Sequence, residues 1–425
     1  MKKVLIRGPI LTRTGYGEQA RFAYRALKSR PDLFDVYIVP TNWGHTGWTV
    51  EDTAERKEID EAITATNRHI QYCNKVGTNP FDISVQVTIP NEWEKLAPVN
   101  IGFTAGTETT HISHKWVEST RVVNKIIAVS EHTKAAFVNT EYTGNNAEGN
   151  RVTAKCHTPV DVVGFPVKVT TPVPIEFETD TTFNFLSVLQ WSPRKNLENT
   201  IKWFVEEFRD NEDVGLVVKA SVARNCYIDR KHTEARLKAL KESFGDHKCK
   251  IYLLHGNLTD EEMLGLYRKD NVHALINLAH GEGFGLPVFE AAYSGLPIIA
   301  PNWGGQKDYL NAQITTKAKG KKKARTKTRC LAAKVDYGLA NIQPEAVWKD
   351  VLIPESAWCY PKESSYRNAL RTVYKSYDRF KGQANKLKTS VEDNFSEEKQ
   401  NKKFVDSVLS TAAESAPTVS QVVTI

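Results

Sequence analysis

The chain reads Gly281-Glu282-Gly283-Phe284-Gly285-Leu286-Pro287-Val288-Phe289-Glu290, and Gly295-Leu296-Pro297-Ile298-Ile299 follows shortly afterwards. This pattern places two glutamates eight positions apart, on either side of a glycine-rich turn that opens a helix. Pro287 suits the first helical position, because its missing N–H is one that a helix start leaves unpaired. Glu290 then falls in the first turn. The pattern predicts a buried strand, a sharp bend and a helix, as in parallel α/β sheets.

The start of this helix has the properties of an anion site. Free backbone amides around Phe284, Gly285 and Leu286 point toward the helix mouth, where the helix dipole adds positive potential. Such a site suits a diphosphate, and the carboxylates of Glu282 and Glu290 can accept hydrogen bonds from sugar and ribose hydroxyls. A glycine turn alone is a weak signal, and an acidic first turn is also ordinary helix capping. The whole string favours a site for a nucleotide-activated sugar.

Length and composition limit the class of protein. A chain of 425 residues exceeds the usual size of a single core, so two domains are expected. It has no apolar stretch long enough for a transmembrane helix, and its first residues read as a buried strand, not a signal peptide. The six cysteines are scattered, with no Cys-x-x-Cys pair, which indicates reduced thiols. We expect a cytoplasmic protein. It could also lie peripherally at the inner membrane face, or in the host cytoplasm if the chain is viral.

Short apolar runs alternate with longer helical stretches along the chain. The predicted strands are Val4–Ile6, Val36–Val39, Ile83–Ile89, Val99–Thr104, Ile126–Val129, Phe183–Leu189, Gly215–Val218, Ile251–Leu254, Ala274–Leu278 and Ile298–Ala300. The predicted helices include Glu18–Lys28, Leu197–Phe208, His232–Phe244, Asp260–Arg268 and Val288–Ser294. Nearly continuous apolar runs suit strands buried on both faces. The fold class is therefore α/β, with two doubly wound Rossmann-like domains facing a cleft.

A proline-rich, extended stretch between residues 159 and 180 marks the break between the domains. Ligands of doubly wound domains bind at the carboxyl ends of the strands, which is where the Glu282–Glu290 turn lies. The tail from Ser410 onward is expected to fray. The predicted division is an N-terminal acceptor domain (1–165), a linker (166–182), a C-terminal nucleotide-sugar domain (183–395, with a basic loop at 315–330), and a C-terminal helix and tail (396–425).

The stretch Gly281–Ile299 resembles the two-glutamate signature of glycosyltransferase family 4, a group of retaining, metal-independent enzymes with the GT-B fold. The resemblance is specific over about residues 183–310 and looser over the first domain. It implies transfer of a sugar from a nucleoside diphosphate to an acceptor hydroxyl, with the anomeric configuration retained. Further segments that resemble the family are Trp191–Leu197, Leu258–Met263, Leu266-Tyr267, Gly304-Gly305 and Trp358–Pro361.

The resemblance also implies roles for residues of the second domain. Glu290 would hold the ribose hydroxyls and Glu282 would contact the transferred sugar. Lys195 would neutralise the departing diphosphate, and either Arg194 or Lys219 would add a second positive charge, because Gln190 stands where many members carry an arginine. Backbone groups facing the diphosphate or sugar would come from Gly283, Phe284, Gly285 and Leu286.

In the first domain, Gly15 and Gly17 resemble the family's glycine-rich loop, which approaches donor and acceptor across the cleft. Family members often place a histidine or a glutamate near the reacting sugar, where this chain offers both Glu108 and His111. Further candidates for the cleft wall are Ser130, His132 and Lys134.

No cofactor or metal is expected beside the nucleoside-diphosphate sugar, which is the donor substrate. The chain contains no Asp-x-Asp sequence, so a divalent cation bridging the diphosphate is not indicated. The protein would then supply the cations itself.

The basic segment Lys317–Arg329 carries eight of the positive charges and no acid; without it the formal charge of +7 becomes −1. It is either a solvated insertion or a contact for a polyanion or an anionic membrane surface. The acceptor is accordingly a cell-envelope glycan or lipid carrier, or a hydroxymethylated DNA base as in bacteriophage enzymes. A nucleotide-sugar epimerase and a non-catalytic nucleotide-sugar binding module are the alternatives from other classes.

Overall fold

The computed structural model describes residues 1–145, 148–316 and 325–414. Its N-terminal part alternates strands and helices, and its central sheet has the order β2-β1-β3-β4-β5-β8 with every neighbouring pair parallel. The elements are β1 (Lys2–Gly8), α1 (Gly15–Lys28), β2 (Phe34–Pro40), α2 (Ala54–Val76), β3 (Ile83–Gln86), β4 (Val99–Thr104), α3 (His114–Ser119), β5 (Lys125–Ala128), α4 (Glu131–Asn139), the hairpin β6 (Glu141–Asn145) and β7 (Arg151–Lys155), and β8 (Val160–Val162).

The C-terminal part repeats this plan with a second parallel sheet of order β11-β10-β9-β12-β13-β16. Its elements are β9 (Phe183–Gln190), α5 (Leu197–Phe208), β10 (Val214–Ser221), α6 (Tyr227–Glu242), β11 (Lys250–Leu254), α7 (Asp260–Tyr267), β12 (Ala274–Ile276), α8 (Leu286–Ser294), β13 (Ile298–Pro301), α9 (Lys307–Leu310), β14 (Asn311–Thr316), β15 (Arg325–Cys330), β16 (Ala333–Val335), β17 (Tyr337–Asn341), β18 (Ala357–Pro361), α10 (Glu363–Lys375), α11 (Tyr377–Asn394) and α12 (Glu397–Glu414).

The apolar runs predicted as strands form the two sheets, so two doubly wound domains are confirmed. Every residue of β10 is buried, as expected for a strand covered by helices on both faces. The predicted bounds of β4 and α5 agree with the observed bounds, and those of the other predicted elements differ by a few residues. In the described part of the chain, no helix is long and apolar enough to cross a membrane.

Two local predictions are wrong. Helix α8 begins at Leu286, so Pro287 is its second residue and Glu290 lies beyond the first turn. Gly285 supplies the left-handed N-cap, with φ 86°, that sets this start. The predicted basic loop at 315–330 is in part the antiparallel hairpin of β14 and β15, where Ile314 pairs with Lys327. The rest of that loop, residues 317–324, lies outside the described residues.

The last helix packs on the N-terminal domain, although it follows the C-terminal domain in sequence. The Phe404 ring of α12 lies 5.6 Å from the Phe22 ring and 5.2 Å from the Phe103 ring. Ser410 accepts a 2.8 Å hydrogen bond from Lys125 Nζ. The predicted fraying from Ser410 is therefore wrong as far as Glu414, because these contacts hold the helix on the sheet. Residues 415–425 lie outside the described residues.

A stretch of the C-terminal domain, residues 342–357, which we call the clasp segment, binds the N-terminal domain. The Thr110 amide donates to the Ala357 carbonyl at 3.2 Å, and the His111 amide donates to Ser356 Oγ at 3.0 Å. Val351 of the clasp segment is 5% exposed and belongs to an apolar cluster otherwise formed by the N-terminal domain. Apolar burial and hydrogen bonds thus join the domains beside the cleft.

The substitution Val351→Asp tests this junction. A carboxylate placed in the apolar cluster has no partner there, which costs about 2–4 kcal/mol. The cost is avoided when the domains separate, so we expect a larger radius of gyration by small-angle X-ray scattering with an unchanged circular dichroism spectrum. The matched control is Val347→Asp, because Val347 is 39% exposed in the same segment. Equal scattering from both variants and the parent chain would contradict the assigned role.

Candidate active site

Four charged side chains meet where the loops at the strand ends of the two domains touch; we call them the cleft cluster (Glu108, Arg194, Lys195 and Glu282). Lys195 Nζ donates to Glu282 Oε1 at 2.6 Å, and Arg194 Nη1 lies 3.3 Å from Glu282 Oε2. The other terminal nitrogen of Arg194 lies 3.4 Å from Glu108 Oε1 of the N-terminal domain. Arg194 therefore joins an acid of each domain.

The backbone around β9 explains how the two cations reach this place. A short turn of 3-10 helix, Pro193–Lys195, follows the strand directly, and Asn196 with φ 53° redirects the chain into α5. The side-chain Nδ2 of Asn196 donates to the Leu278 carbonyl at 3.2 Å. This hydrogen bond fixes the turn against the end of the strand that precedes Glu282. Asparagine tolerates the left-handed conformation that this turn requires.

Burial and charge pairing act in opposite directions on the cleft cluster. Burial raises the pKa of Glu282, but Lys195 and Arg194 outweigh it, so its pKa lies below the ordinary value. The pKa of Lys195 is lowered, first by burial and then by Arg194. Burial lowers the pKa of Arg194, yet Glu108 and Glu282 outweigh that effect and raise it. Glu282 is therefore ionised at neutral pH, between two cations.

The glycines of the predicted turn permit the domains to approach closely. A Cβ atom on Gly281 would lie 2.0 Å from the Glu108 carbonyl oxygen, and one on Gly283 would lie 2.6 Å from the Ala105 carbonyl oxygen. Ser130 Oγ donates to the Gly283 carbonyl at 2.6 Å. Any side chain at these glycines would push the domains apart, so the turn is shaped by the opposite wall of the cleft.

The start of α8 keeps its backbone donors free. Tyr309 Oη donates to the carbonyls of Phe284 and Gly285 at 3.0 and 2.9 Å, which leaves the amides on the other side of the bend. Within the described residues, the amides of Gly283, Phe284, Gly285 and Leu286 have no acceptor. Unpaired N–H groups at the positive end of a helix are a binding site for an anion.

Glu290 lies in a separate, partly enclosed pocket with the side chains of Lys168, Asp260, Tyr267 and Tyr293. Tyr267 Oη donates to Glu290 Oε2 at 3.0 Å. Burial is the main cause that raises the pKa of Glu290 to about 7; Lys168 opposes it, and Asp260 and Glu18 contribute to the increase. The two glutamates of the turn therefore differ in charge state near neutral pH.

Lys219 lies apart from the cleft cluster. Its ammonium group donates to the Gly256 carbonyl at 2.5 Å, and burial, followed by the charge of Arg13, lowers its pKa to about 8. Arg13 donates to the Leu258 carbonyl at 3.3 Å from the opposite domain. Of the two candidates for a second cation, Arg194 is the one beside Lys195.

The other predicted residues of the first domain line the same seam at different depths. A Cβ atom on Gly17 would lie 2.1 Å from the Thr12 carbonyl oxygen, whereas Gly15 faces open space. His111 is exposed, with Nδ1 2.8 Å from Thr110 Oγ1, so Glu108 and not His111 contacts the cleft cluster. His132 packs edge-on against Trp303 at 4.7 Å, and burial lowers its pKa to about 4. Lys134 follows on α4, where its side chain has no hydrogen-bond partner within the described ranges.

Two contributors to the site were absent from the sequence prediction. Asn277 Nδ2 lies 3.3 Å from Glu282 Oε1; its place directly after a buried strand could have identified it. Lys168 of the linker forms ion pairs with Glu18 at 3.1 Å and Asp260 at 2.7 Å. No local sequence pattern predicts that a lysine of the linker pairs with residues of both domains. Among the residues that the structure describes, no group of three or more His, Cys, Asp or Glu side chains could hold a metal ion.

Comparisons with known proteins agree with this geometry. Residues 174–326 match the family described as glycosyl transferases group 1. A serotype-specific mannosyltransferase of Escherichia coli, WbdA, is 32% identical over 120 residues, which is 27% of this chain and 13% of that protein. The chain thus spans only a small part of the curated relatives it matches.

Solved structures resemble the chain over nearly its whole length. Sucrose-phosphate synthase from Thermosynechococcus elongatus has a TM-score of 0.61 at 11% identity, covering 97% of this chain and 100% of that chain. HepE of Anabaena, in complex with UDP and glucose, has a TM-score of 0.58 at 12% identity, covering 96% and 100%. The lipopolysaccharide outer core galactosyltransferase WaaB has a TM-score of 0.52 at 15% identity, covering 96% and 99%. At such identities the likeness shows the fold, which is GT-B.

The matched region contains Lys195, Glu282, Glu290 and the free amides of α8. This part of the chain is therefore similar to the glycosyl transferases group 1 family.

The raised pKa of Glu290 predicts a pH-dependent stability. The folded chain keeps a proton on Glu290 up to about pH 7, whereas an unfolded glutamate releases it near its ordinary value of 4.5. Stability therefore falls as the pH rises between these values, by about 3 kcal/mol in total. Glu290→Gln cannot ionise, so we expect its melting temperature, relative to the parent chain, to rise from pH 5 to pH 8.

The control for this measurement is Glu234→Gln, because the Glu234 side chain is 55% exposed in a surface ion pair. Its melting temperature relative to the parent chain should stay constant with pH. A pH-independent difference for Glu290→Gln as well would show that Glu290 is ionised in the folded chain at both pH values.

Proposed function

We propose that the chain is a retaining glycosyltransferase that moves a sugar from a nucleoside diphosphate to a hydroxyl of a cell-envelope glycan. The observation that carries the proposal is the set of unpaired amides at the start of α8, flanked by Lys195 and Glu282. A diphosphate placed there meets backbone donors and a lysine, while a sugar attached to it reaches the carboxylate. The group 1 family match and the fold shared with HepE in complex with UDP and glucose support a nucleotide-sugar donor.

The reaction proposed breaks the bond between the sugar C1 and the diphosphate oxygen. Negative charge grows on the leaving diphosphate, so donors aimed at it stabilise the transition state more than the ground state. Lys195, Arg194 and the α8 amides would supply this stabilisation. Glu282 would face the positive charge that develops on the sugar ring. The acceptor hydroxyl would attack from the same face and pass its proton to the leaving phosphate oxygen.

Glu290 would bind the nucleoside part of the donor. An ionised carboxylate accepts two hydrogen bonds from neighbouring hydroxyls, whereas a protonated one must also donate. Binding of ribose would therefore favour the ionised form of Glu290.

The acceptor is proposed from the relatives. The matched protein WbdA is named as a serotype-specific mannosyltransferase, and WaaB is named as a galactosyltransferase of the lipopolysaccharide outer core. The name of WaaB refers to an envelope glycan, which favours that class over a DNA base. Neither name favours an epimerase or a binding module without turnover.

Replacement of Lys195 tests the proposed donor chemistry. Lys195→Ala removes a cation from the departing diphosphate, and we expect release of UDP from UDP-sugars to slow by about 10²-fold or more. Release is measured with purified full-length chain and a panel of UDP- and GDP-sugars. Lys202→Ala is the matched control, because Lys202 is exposed on the adjoining helix α5. Turnover of Lys195→Ala within threefold of the parent chain would refute the assignment.

Metal independence and retention are tested in the same assay. Because the protein's own cations would balance the diphosphate, we expect turnover to survive excess EDTA. The anomeric proton of the product, followed by NMR, should show the configuration of the donor. Loss of turnover in EDTA that Mg²⁺ or Mn²⁺ restores, or an inverted product, would contradict these parts of the proposal.

A further inference from the structure

The segment between β2 and α2 contains two tryptophans at the carboxyl edge of the N-terminal sheet. We call residues 43–50 the tryptophan loop. Trp48 is 48% exposed, which is unusual for so large an apolar side chain. The Trp43 ring packs at a tilt of 31° against the Tyr16 ring, with 4.2 Å between their centroids, and Tyr16 stands between Gly15 and Gly17 of the glycine-rich loop. The loop therefore adjoins the predicted approach to the donor.

Backbone hydrogen bonds hold the tryptophan loop in one place. Thr12 and Trp48 pair as an antiparallel bridge. The Arg13 amide donates to the Gly47 carbonyl at 2.8 Å, and the Thr49 amide donates to the Leu11 carbonyl at 2.8 Å. An aromatic ring that is exposed yet fixed by its backbone loses little entropy when a ligand covers it.

Polar groups without partners lie at the same edge of the sheet. Thr41 Oγ1 follows β2 and Thr88 Oγ1 follows β3, and both atoms are buried with no hydrogen-bond partner in the described part of the chain. Both polar atoms of the Gln19 side chain, on the adjoining helix α1, are also buried without a hydrogen-bond partner in the described residues. Because these atoms are enclosed by protein, a ligand on the exposed Trp48 ring does not reach them in this arrangement.

The surroundings of the tryptophan loop are mainly acidic, which disfavours a polyanion, although Arg224 beside His45 has no ion pair in the described residues. Residues 40–60 contain five acids and two bases. Both bases are paired, Arg56 with Asp60 at 2.9 Å and Lys57 with Asp52 at 3.2 Å, and Arg13 pairs with Glu51. Nucleic acids bind through unpaired cations that replace the counterions of the phosphates. The acidic, aromatic surface instead suits a neutral sugar, whose C–H face packs on a ring while its hydroxyls bond to polar groups.

We propose that the tryptophan loop binds a neutral saccharide of the acceptor, with Trp48 as the ring on which the sugar packs. This inference rests on the proposed function, since it names the acceptor class for the same cleft. The place is consistent with that role, because Gly47 lies across the seam from Arg224, whose guanidinium contacts His45 at 3.3 Å. A sugar on Trp48 lies at the mouth of the cleft that holds the donor site.

The test compares Trp48→Ala with Trp48→Phe and with Tyr72→Ala in the full-length chain. Tyr72 is 64% exposed near the other end of α2, so it matches Trp48 in exposure but not in place. The probes are neutral trisaccharides of mannose, glucose and galactose, titrated by saturation-transfer NMR. We expect at least one to bind, with a dissociation constant raised at least tenfold by Trp48→Ala and less than threefold by Trp48→Phe and Tyr72→Ala.

Steady-state kinetics separates this inference from the proposed function. We expect Trp48→Ala to raise the KM for the trisaccharide at least tenfold and the KM for the UDP-sugar less than twofold. Absence of UDP or GDP release from every sugar nucleotide of the panel by the parent chain, with or without acceptor, would defeat the proposed function itself. If the parent chain does release the nucleoside diphosphate, three results would overturn the inference alone. They are an unchanged trisaccharide KM for Trp48→Ala, no trisaccharide binding, and competition by single-stranded DNA at low salt.

Discussion

The architecture depends on bringing charges of both domains together with little water between them. Glu282 is 8% exposed and stands between Lys195 and Arg194, while Arg194 also reaches Glu108 of the other domain. A buried charge is costly unless it is paired, so each member of this set depends on the others. The pairing requires a close approach of two loops, and Gly281 and Gly283 provide it because a Cβ atom there would collide with the opposite backbone. The ion pairs therefore require these glycines, just as the conformation of the turn does.

The two glutamates of one short motif acquire different properties from their neighbours. Two cations lower the pKa of Glu282, whereas burial, together with the charges of Asp260 and Glu18, raises the pKa of Glu290 to about 7. Opposite shifts in a pair of like groups are a recurrent sign of divided roles in active sites. Here the difference arises from position, since Glu282 lies in the turn before the Gly285 N-cap and Glu290 lies on α8 beyond its first turn. The α8 amides that lie between the two carboxylates complete an arrangement that suits a sugar, a diphosphate and a ribose in sequence.

The sequence predicts those features that depend on residues close together in the chain, and it does not predict those that depend on contacts between distant residues. Strands such as β4 are visible because burial on both faces produces a continuous apolar run, and α5 is visible from its apolar stripe. The place of Glu282 and Lys195 is predictable because both lie in the loops that follow β12 and β9, whose carboxyl ends face the cleft. By contrast, the pairing of Lys168 with both domains depends on how the linker folds back, and the return of α12 to the N-terminal sheet depends on contacts far apart in sequence. Tertiary contacts also determine that Glu108, and not the His111 ring, contacts Arg194, since the clasp segment bonds the backbone at His111 and leaves its ring exposed.

The order of the strands separates the two surfaces that bear on the acceptor. The tryptophan loop follows β2 at one edge of its sheet and touches the segment after β10, which lies toward the β11 edge of the other sheet. The hairpin of β14 and β15, from which the basic segment extends, connects β13 to β16 at the opposite edge. Lys327 and Arg329 of that hairpin therefore lie at the edge away from the tryptophan loop, and exposed charges interact over only about 10 Å in salt. A neutral sugar at the aromatic edge requires no contribution from the basic segment, so that segment's function must be sought in a separate contact.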